Sequence, residues 1–194
     1  MTPTILIPAK AFVLAKSRLA PMLDAAARVA ISRDFLRHVV TVAIDPLLAA
    51  DVRVISACPD VLAFAAALGA IAEEEGAPGH NPALEAAMDA LSPDAPVLIL
   101  SADLPLLSVD DIRALIAAGR DADVVVATDR SGKGSNALWL ARPCLIPLRF
   151  GLNSCAAHMV QAAHVGLRAR IVTRPGLAHD VDMPADLEFL PLRA

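Results

Sequence analysis

The chain has 194 residues, 56% of them hydrophobic and 20% charged, with a formal net charge of −4. That is enough for one domain with a substantial core and too apolar for disorder. An acidic balance with only 3% aromatics argues against a nucleic-acid binder, which needs basic patches and stacking platforms, whereas a single nucleotide needs only a few local cations.

No apolar stretch reaches membrane-spanning length without a charge or a proline, and the chain opens directly on a strand-like segment rather than a basic and apolar leader. A cytoplasmic protein without membrane association is expected. Cys58, Cys144 and Cys155 are odd in number and scattered, which suggests packing residues rather than a disulfide framework or a zinc site.

In chain order, residues 4–8 read as a buried strand that opens into a loop, residues 9–19, carrying Lys10, Lys16, Ser17 and Arg18. Asp24 is placed to cap a long helix with Val29, Phe35, Leu36, Val39 and Val40 at helical spacing. Residues 52–56 form a second strand, Pro59 starts a second helix, and residues 69–72 form a short strand before the acidic run 73–75, expected as a solvated loop. Asn81 is a natural N-cap with Pro82 in the first turn of a third helix. An apolar strand, 97–100, then runs toward Asp103. Ser108 caps the next helix. Strands follow at 123–127 and 136–140, separated by a polar loop. Residues 150–155 lead into a helix with Ala157, Val160 and Ala163, residues 170–173 form a late strand, and 179–187 open a final short helix. Strands alternating with helices imply one α/β domain over residues 1–194, a three-layer αβα sandwich with a mostly parallel sheet. The loops 128–136 and 147–155 are the expected substrate lip.

Asp103 ends an apolar strand, and open α/β sheets bind ligands at the carboxyl ends of their strands. Pro105 turns the chain away, so the carboxylate need not be covered. Asp180 and Asp182 are one residue apart, which in an extended segment points both to one face and Val181 into the core. Taken alone, Asp103 or Asp182 could be a helix cap. Together, the three carboxylates suit Mg2+, which takes carboxylates alongside phosphates and water. The 9–19 loop supplies the opposite charge for a triphosphate, with Lys as point charge and Arg as fork, although it lacks the glycines of a Walker A loop. Gly134-Ser135-Asn136 and Gly151 with Ser154 place small residues beside free backbone N–H groups that suit an anion, with turn and N-cap roles as the plain alternative. The histidines show no metal-ligand spacing, and His158 and His179 are expected to pack or face solvent.

Several motifs occur in one order: Ile7-Pro8-Ala9-Lys10, Lys16-Ser17-Arg18-Leu19, Asn81-Pro82-Ala83-Leu84, Ala102-Asp103-Leu104-Pro105, Gly134-Ser135-Asn136, Gly151 to Ser154, and Asp180-Val181-Asp182-Met183-Pro184. Together they resemble the 2-phospholactate guanylyltransferase family of coenzyme F-420 biosynthesis. The resemblance implies a nucleotide-diphospho-sugar-transferase-like fold shared with molybdenum-cofactor guanylyltransferases. It implies transfer of GMP from GTP to 2-phospho-L-lactate, phosphoenolpyruvate or 3-phospho-D-glycerate, with release of diphosphate, and by family analogy a homodimer. Carried over, Asp103, Asp180 and Asp182 would hold Mg2+. Lys10, Lys16, Ser17, Arg18 and Asn81 would face GTP, with Asp103, Lys16 and Arg18 catalytic. Ser135, Asn136, Gly151 and Ser154 would bind the acceptor.

The chain departs from that pattern at Ser135, where threonine is usual, and at Cys155, where a bulkier residue is frequent. Both changes are expected to enlarge the acceptor pocket, which favours 3-phospho-D-glycerate. A molybdopterin-type or CTP-dependent nucleotidyltransferase and a non-catalytic nucleotide-binding regulator are the alternatives.

Overall fold

Alternate residues of the central strands face opposite helical layers, and that alternation builds the molecule. The computed structural model describes residues 3–190. Among them are seven strands, β1 (Thr4–Pro8), β2 (Asp51–Ser56), β3 (Ile71–Glu74), β4 (Val97–Leu100), β5 (Val124–Thr128), β6 (Ser135–Leu140) and β7 (Ala169–Val172). They form one sheet in the order β3-β2-β1-β4-β6-β5-β7. β6 runs antiparallel to β4 and β5, and every other pairing is parallel.

The helices are α1 (Ala25–Ala43), α2 (Pro59–Ala67), α3 (His80–Asp89), α4 (Val109–Ala118), α5 (Ser154–His164) and the short α6 (Pro175–Ala178). Ile5, Ile7, Leu98, Leu100, Val125 and Trp139 pack with residues of α1, α2 and α4. Leu6, Val97, Ile99, Val124, Val126 and Leu138 pack with residues of α3 and α5. The period of two thus divides the apolar residues between two cores, giving the expected three layers. No helix among the described residues is long and apolar enough to cross a membrane.

Several local expectations hold for the predicted physical reason. Asp24 caps α1 by accepting from the Ala27 N–H at 2.7 Å, and Pro59 opens α2. Ser108 and Asp111 form a reciprocal capping box at α4.

Others shift. β3 starts two residues later than expected and takes in Glu73 and Glu74. Glu73 is compatible with this edge strand because Arg53 on β2 pairs with it at 3.0 Å. Asn81 does not cap α3: the helix begins at His80, and Gly79 at φ 103° makes the entry turn, a conformation that favours glycine. α6, which the sequence reading did not foresee, is a single turn over Asp111. There Arg174 donates to the buried Asp111 carboxylate at 2.8 Å.

Gly176 in that turn has no room for a side chain. A Cβ there would lie 2.5 Å from the Leu106 carbonyl oxygen and closer still to the Asp111 carboxylate. Gly176→Ala is therefore expected to cost about 1–3 kcal/mol, as overpacking does, read as a lower urea midpoint with unchanged slope.

Candidate active site

The carboxyl ends of β1, β2, β3 and β4 open onto a cleft of about 920 Å3. Its floor carries the loop after β1, and its lining includes Lys10, Lys16, Ser17, Arg18, Asp103 and Asp182. Of the residues expected to meet a nucleotide, only Asn81 is missing from this lining. Its side chain is committed elsewhere, donating to the Phe150 carbonyl at 3.2 Å and accepting from the Phe150 N–H at 3.0 Å. Asn81 is therefore a brace between α3 and the 147–155 loop.

Lys16 stands at the centre. Its ammonium donates to Asp103 and, at 3.1 Å, to Asp182, and its side chain is only 7% exposed. Arg18 reaches Asp182 from the solvent side at 3.4 Å. Burial alone would lower the Lys16 pKa, but the charges of Asp103 and Asp182 and their hydrogen bonds outweigh it and raise the value above normal. The Lys16 backbone is left-handed, at φ 55° and ψ 32°, a conformation that costs a non-glycine residue about 1–2 kcal/mol. Such strain persists only where the surroundings over-determine it, and it gathers at functional sites.

The 180–182 segment is held by its middle residue. Val181 is 1% exposed and packs with Leu19 of the β1 loop and Phe35 of α1. Asp180 and Asp182 both line a second, polar cavity of about 210 Å3, as expected for residues on one face. Their partners differ, however. Asp182 turns to Lys16, whereas Asp180 accepts from the Asn136 amide at 3.0 Å. Burial, together with repulsion from Asp103 and Asp182, lifts the Asp180 pKa above the usual range, against the Asn136 bond that lowers it.

Among the described residues no three acidic, histidine or cysteine side chains converge as a metal group. Of the expected trio, Asp103 and Asp182 share the Lys16 ammonium, and Asp180 beside them accepts from Asn136. The pair itself passes a chemical test for a hard cation. Two carboxylates already share one positive point, and the lysine that fills it has a flexible four-carbon stem.

Asp186 sets the position of Asp182. Its Oδ2 accepts from the N–H groups of Asp182 at 3.0 Å and Met183 at 2.7 Å, and Arg130 donates to its Oδ1 at 3.2 Å.

Of the expected acceptor residues, Ser154 begins α5, Gly151 precedes it and Ser135 bonds His158 of that helix, whereas Asn136 turns toward α6 and Asp180; neither cavity includes them in its lining. Ser135, Asn136 and Ser154 are buried, and Gly151 is exposed at φ 131°. Asn136 uses its amide on the Leu177 carbonyl and on Asp180, so it acts as a brace and has no amide proton left for an acceptor. Cys155 lies in the apolar core with Leu138 and Ile146, which corrects the expectation that it widens the acceptor pocket.

The lip expected at 147–155 is pinned. Glu85, His158 and Asn81 accept from the N–H groups of Leu148, Arg149 and Phe150 in turn. His158, one helical turn after Ser154, is fully buried, in line with the packing role expected of it, and it is also hydrogen-bonded. Its Nε2 accepts from the Arg149 N–H at 3.0 Å, so its Nδ1 carries the proton and donates to the Ser135 hydroxyl at 3.2 Å. The (i, i+4) spacing from Ser154 was the available signal, too common on helices to single His158 out.

His158 is fully buried, and desolvation pushes its pKa down from 6.5 to about 4. Between those values the unfolded chain binds the proton and the folded chain does not, so stability falls as pH drops through that window. The shift corresponds to about 3 kcal/mol. Urea unfolding at pH 6.5 and pH 4 is expected to show a loss of this order that His158→Gln removes; equal slopes in both proteins would refute the assignment.

Comparison with known proteins gives the family and the fold. The chain is 40% identical over 193 residues to a phosphoenolpyruvate guanylyltransferase of Sphaerobacter thermophilus, covering 98% of this chain and 93% of that protein. It is 37% identical over 192 residues to a 2-phospho-L-lactate guanylyltransferase of Methanothermobacter thermautotrophicus, covering 96% and 83%. In fold it is similar to a protein of Desulfovibrio desulfuricans provisionally assigned as a nucleotide-diphospho-sugar transferase. There the TM-score is 0.77 and the identity 16%, over 96% of this chain and 84% of that one. It is also similar to a glucosyl-3-phosphoglycerate synthase of Mycobacterium tuberculosis bound to Mn2+, UDP and phosphoglyceric acid, with TM-score 0.65 and 16% identity over 96% and 73%. Residues 3–193 match the family described as guanylyl transferase CofC like, and the chain belongs to that family.

Proposed function

We propose that this protein transfers GMP from GTP to the phosphate of a phosphorylated three-carbon acid and releases diphosphate. The observation that carries the reading is the convergence of Asp103 and Asp182 on one cationic point beside the Lys10–Arg18 loop, at the carboxyl ends of the strands. Among acceptors, phosphoenolpyruvate is preferred over 3-phospho-D-glycerate, because the relative at 40% identity carries that name and Cys155 does not enlarge the pocket.

In the reaction, an oxygen of the acceptor phosphate attacks the α-phosphorus of GTP. The bond from that phosphorus to the bridging oxygen of the β-phosphate breaks, and diphosphate leaves with the bond pair. Both partners are anionic, so the barrier is largely electrostatic. The attacking oxygen is already ionised near neutral pH, so no general base is required.

Asp103 and Asp182 would hold Mg2+, with Asp180 close enough to contribute. When bound, the ion supplies charge neutralisation and alignment of the phosphates. Binding it requires Lys16 to leave the carboxylate pair, and its stem can then carry the ammonium to the departing diphosphate. Arg18, 69% exposed in its side chain, is free to follow. Ser135, its hydroxyl oriented by His158, would donate its own proton to the carboxylate of the acceptor. Ser154 and the exposed N–H groups near Gly151 would complete that anion site.

Diphosphate release on mixing GTP, Mg2+ and phosphoenolpyruvate tests the proposal. Asp103→Asn and Asp182→Asn are each expected to lower kcat at least about 100-fold with little change in melting temperature. Full turnover by either variant would rule out the metal assignment. Ser135→Thr is expected to change the product ratio in a three-acid competition read by mass spectrometry, while the KM for GTP stays the same. An unchanged ratio would remove Ser135 from the acceptor site.

A further inference from the structure

The cleft has a cationic end and a far end. The cationic end lies after β1 and β4, at Lys16, Asp103 and Asp182. The far end is built by the residues following β2 and β3, among them Ser56, Cys58 and Glu75. β3 and β4 are separated by two strands, so the two ends lie about 14 Å apart at about 4.8 Å per strand. That is the span of an extended nucleoside triphosphate. With phosphates at the cationic end, the base reaches the far end.

Glu75 is the acidic residue lining that far end. Its backbone N–H donates to the Ser56 carbonyl at 3.2 Å, which continues the β2–β3 ladder by one residue and fixes where the side chain starts. Its neighbours in the acidic run do other things. Glu73 is paired with Arg53, and Glu74 is exposed outside the cleft lining. Among the described residues the Glu75 carboxylate has no ion pair or side-chain hydrogen bond, although it is half-buried and lines the cleft.

We infer that Glu75 selects the base, its two carboxylate oxygens accepting from the ring N1–H and the exocyclic amino group of guanine. Guanine alone among the common bases presents two adjacent N–H donors to a carboxylate, and charge-assisted pairs of this kind are short and directional. Adenine and cytosine present an amino group beside a ring nitrogen lone pair, which a carboxylate repels. Uracil presents one N–H between two carbonyls. With any of these, a half-buried charge would lose water without gaining its partners, and such a site rejects the analogue more strongly than an apolar pocket could.

The inference rests on the guanylyl reading above, and inosine triphosphate separates the two, because it keeps N1–H and lacks the amino group. The experiment measures initial rates and equilibrium binding of GTP, ITP, ATP and CTP with Mg2+ for the wild-type chain, Glu75→Gln and the control Glu74→Gln. Melting temperature reports folding. The wild-type chain and the control are expected to prefer GTP over ITP by about 10- to 100-fold, the range for one hydrogen bond to a charged group. Glu75→Gln is expected to raise KM for GTP by that factor, leave kcat nearly unchanged, and discriminate poorly between GTP and ITP. A Glu75→Gln protein that folds and keeps the wild-type preference for GTP over ITP overturns the assignment of Glu75 while leaving the guanylyl reading intact. A wild-type chain that binds or uses ATP or CTP in preference to GTP overturns both.

Discussion

One lysine ammonium shared by two carboxylates organises the functional half of this molecule. Lys16, Asp103 and Asp182 come from the β1 loop, the end of β4 and the segment after α6. Joining them brings three distant parts of the chain to one point. A buried charge needs hydrogen-bonded partners, and of the three it is Lys16, 7% exposed, that is buried. Loss of Lys16 would leave two carboxylates facing each other, and the strained backbone at Lys16 shows how firmly its surroundings specify that position.

The other constraints arrange themselves around this centre. Val181 holds the acidic segment against Leu19 and Phe35, so the carboxylates on either side of it cannot withdraw. Asp186 fixes the backbone of Asp182, and Asn136 fixes Asp180. The loop before α5 is equally well held. Three side chains take the N–H groups of successive loop residues, and a neutral histidine orients Ser135. The site is thus preorganised by polar contacts to backbone, which fixes geometry without adding mobile charge.

The proposed function would require a conformational step. A lysine occupying the space between carboxylates is a resident counter-ion, and a divalent ion with its nucleotide would displace it. In the proposed reaction the same lysine would then neutralise the leaving group.

Much of this was written in the chain itself. Continuous apolar runs in β1, β4 and β5 determined a sheet buried on both faces, because the two cores take alternate side chains. Asp24, Pro59 and Ser108 determined helix starts by local capping chemistry. Asp103 past the end of an apolar strand and the Asp180–Asp182 pair pointed to the candidate site, because carboxylates so placed can share a cation. What residue spacing could not carry were contacts between distant segments. Asn81 looks like a cap locally, yet Phe150, far along the chain, supplies partners for both ends of its amide. Cys155 looks like a pocket residue by its place in a motif, yet the helix turns it into the core. His158 and Glu75 acquire meaning only when the fold sets one beside Ser135 and the other at the far end of the cleft. Local patterns encode burial and capping, which depend on neighbours along the chain. Side-chain partnership depends on neighbours in space, and only the tertiary structure decides it.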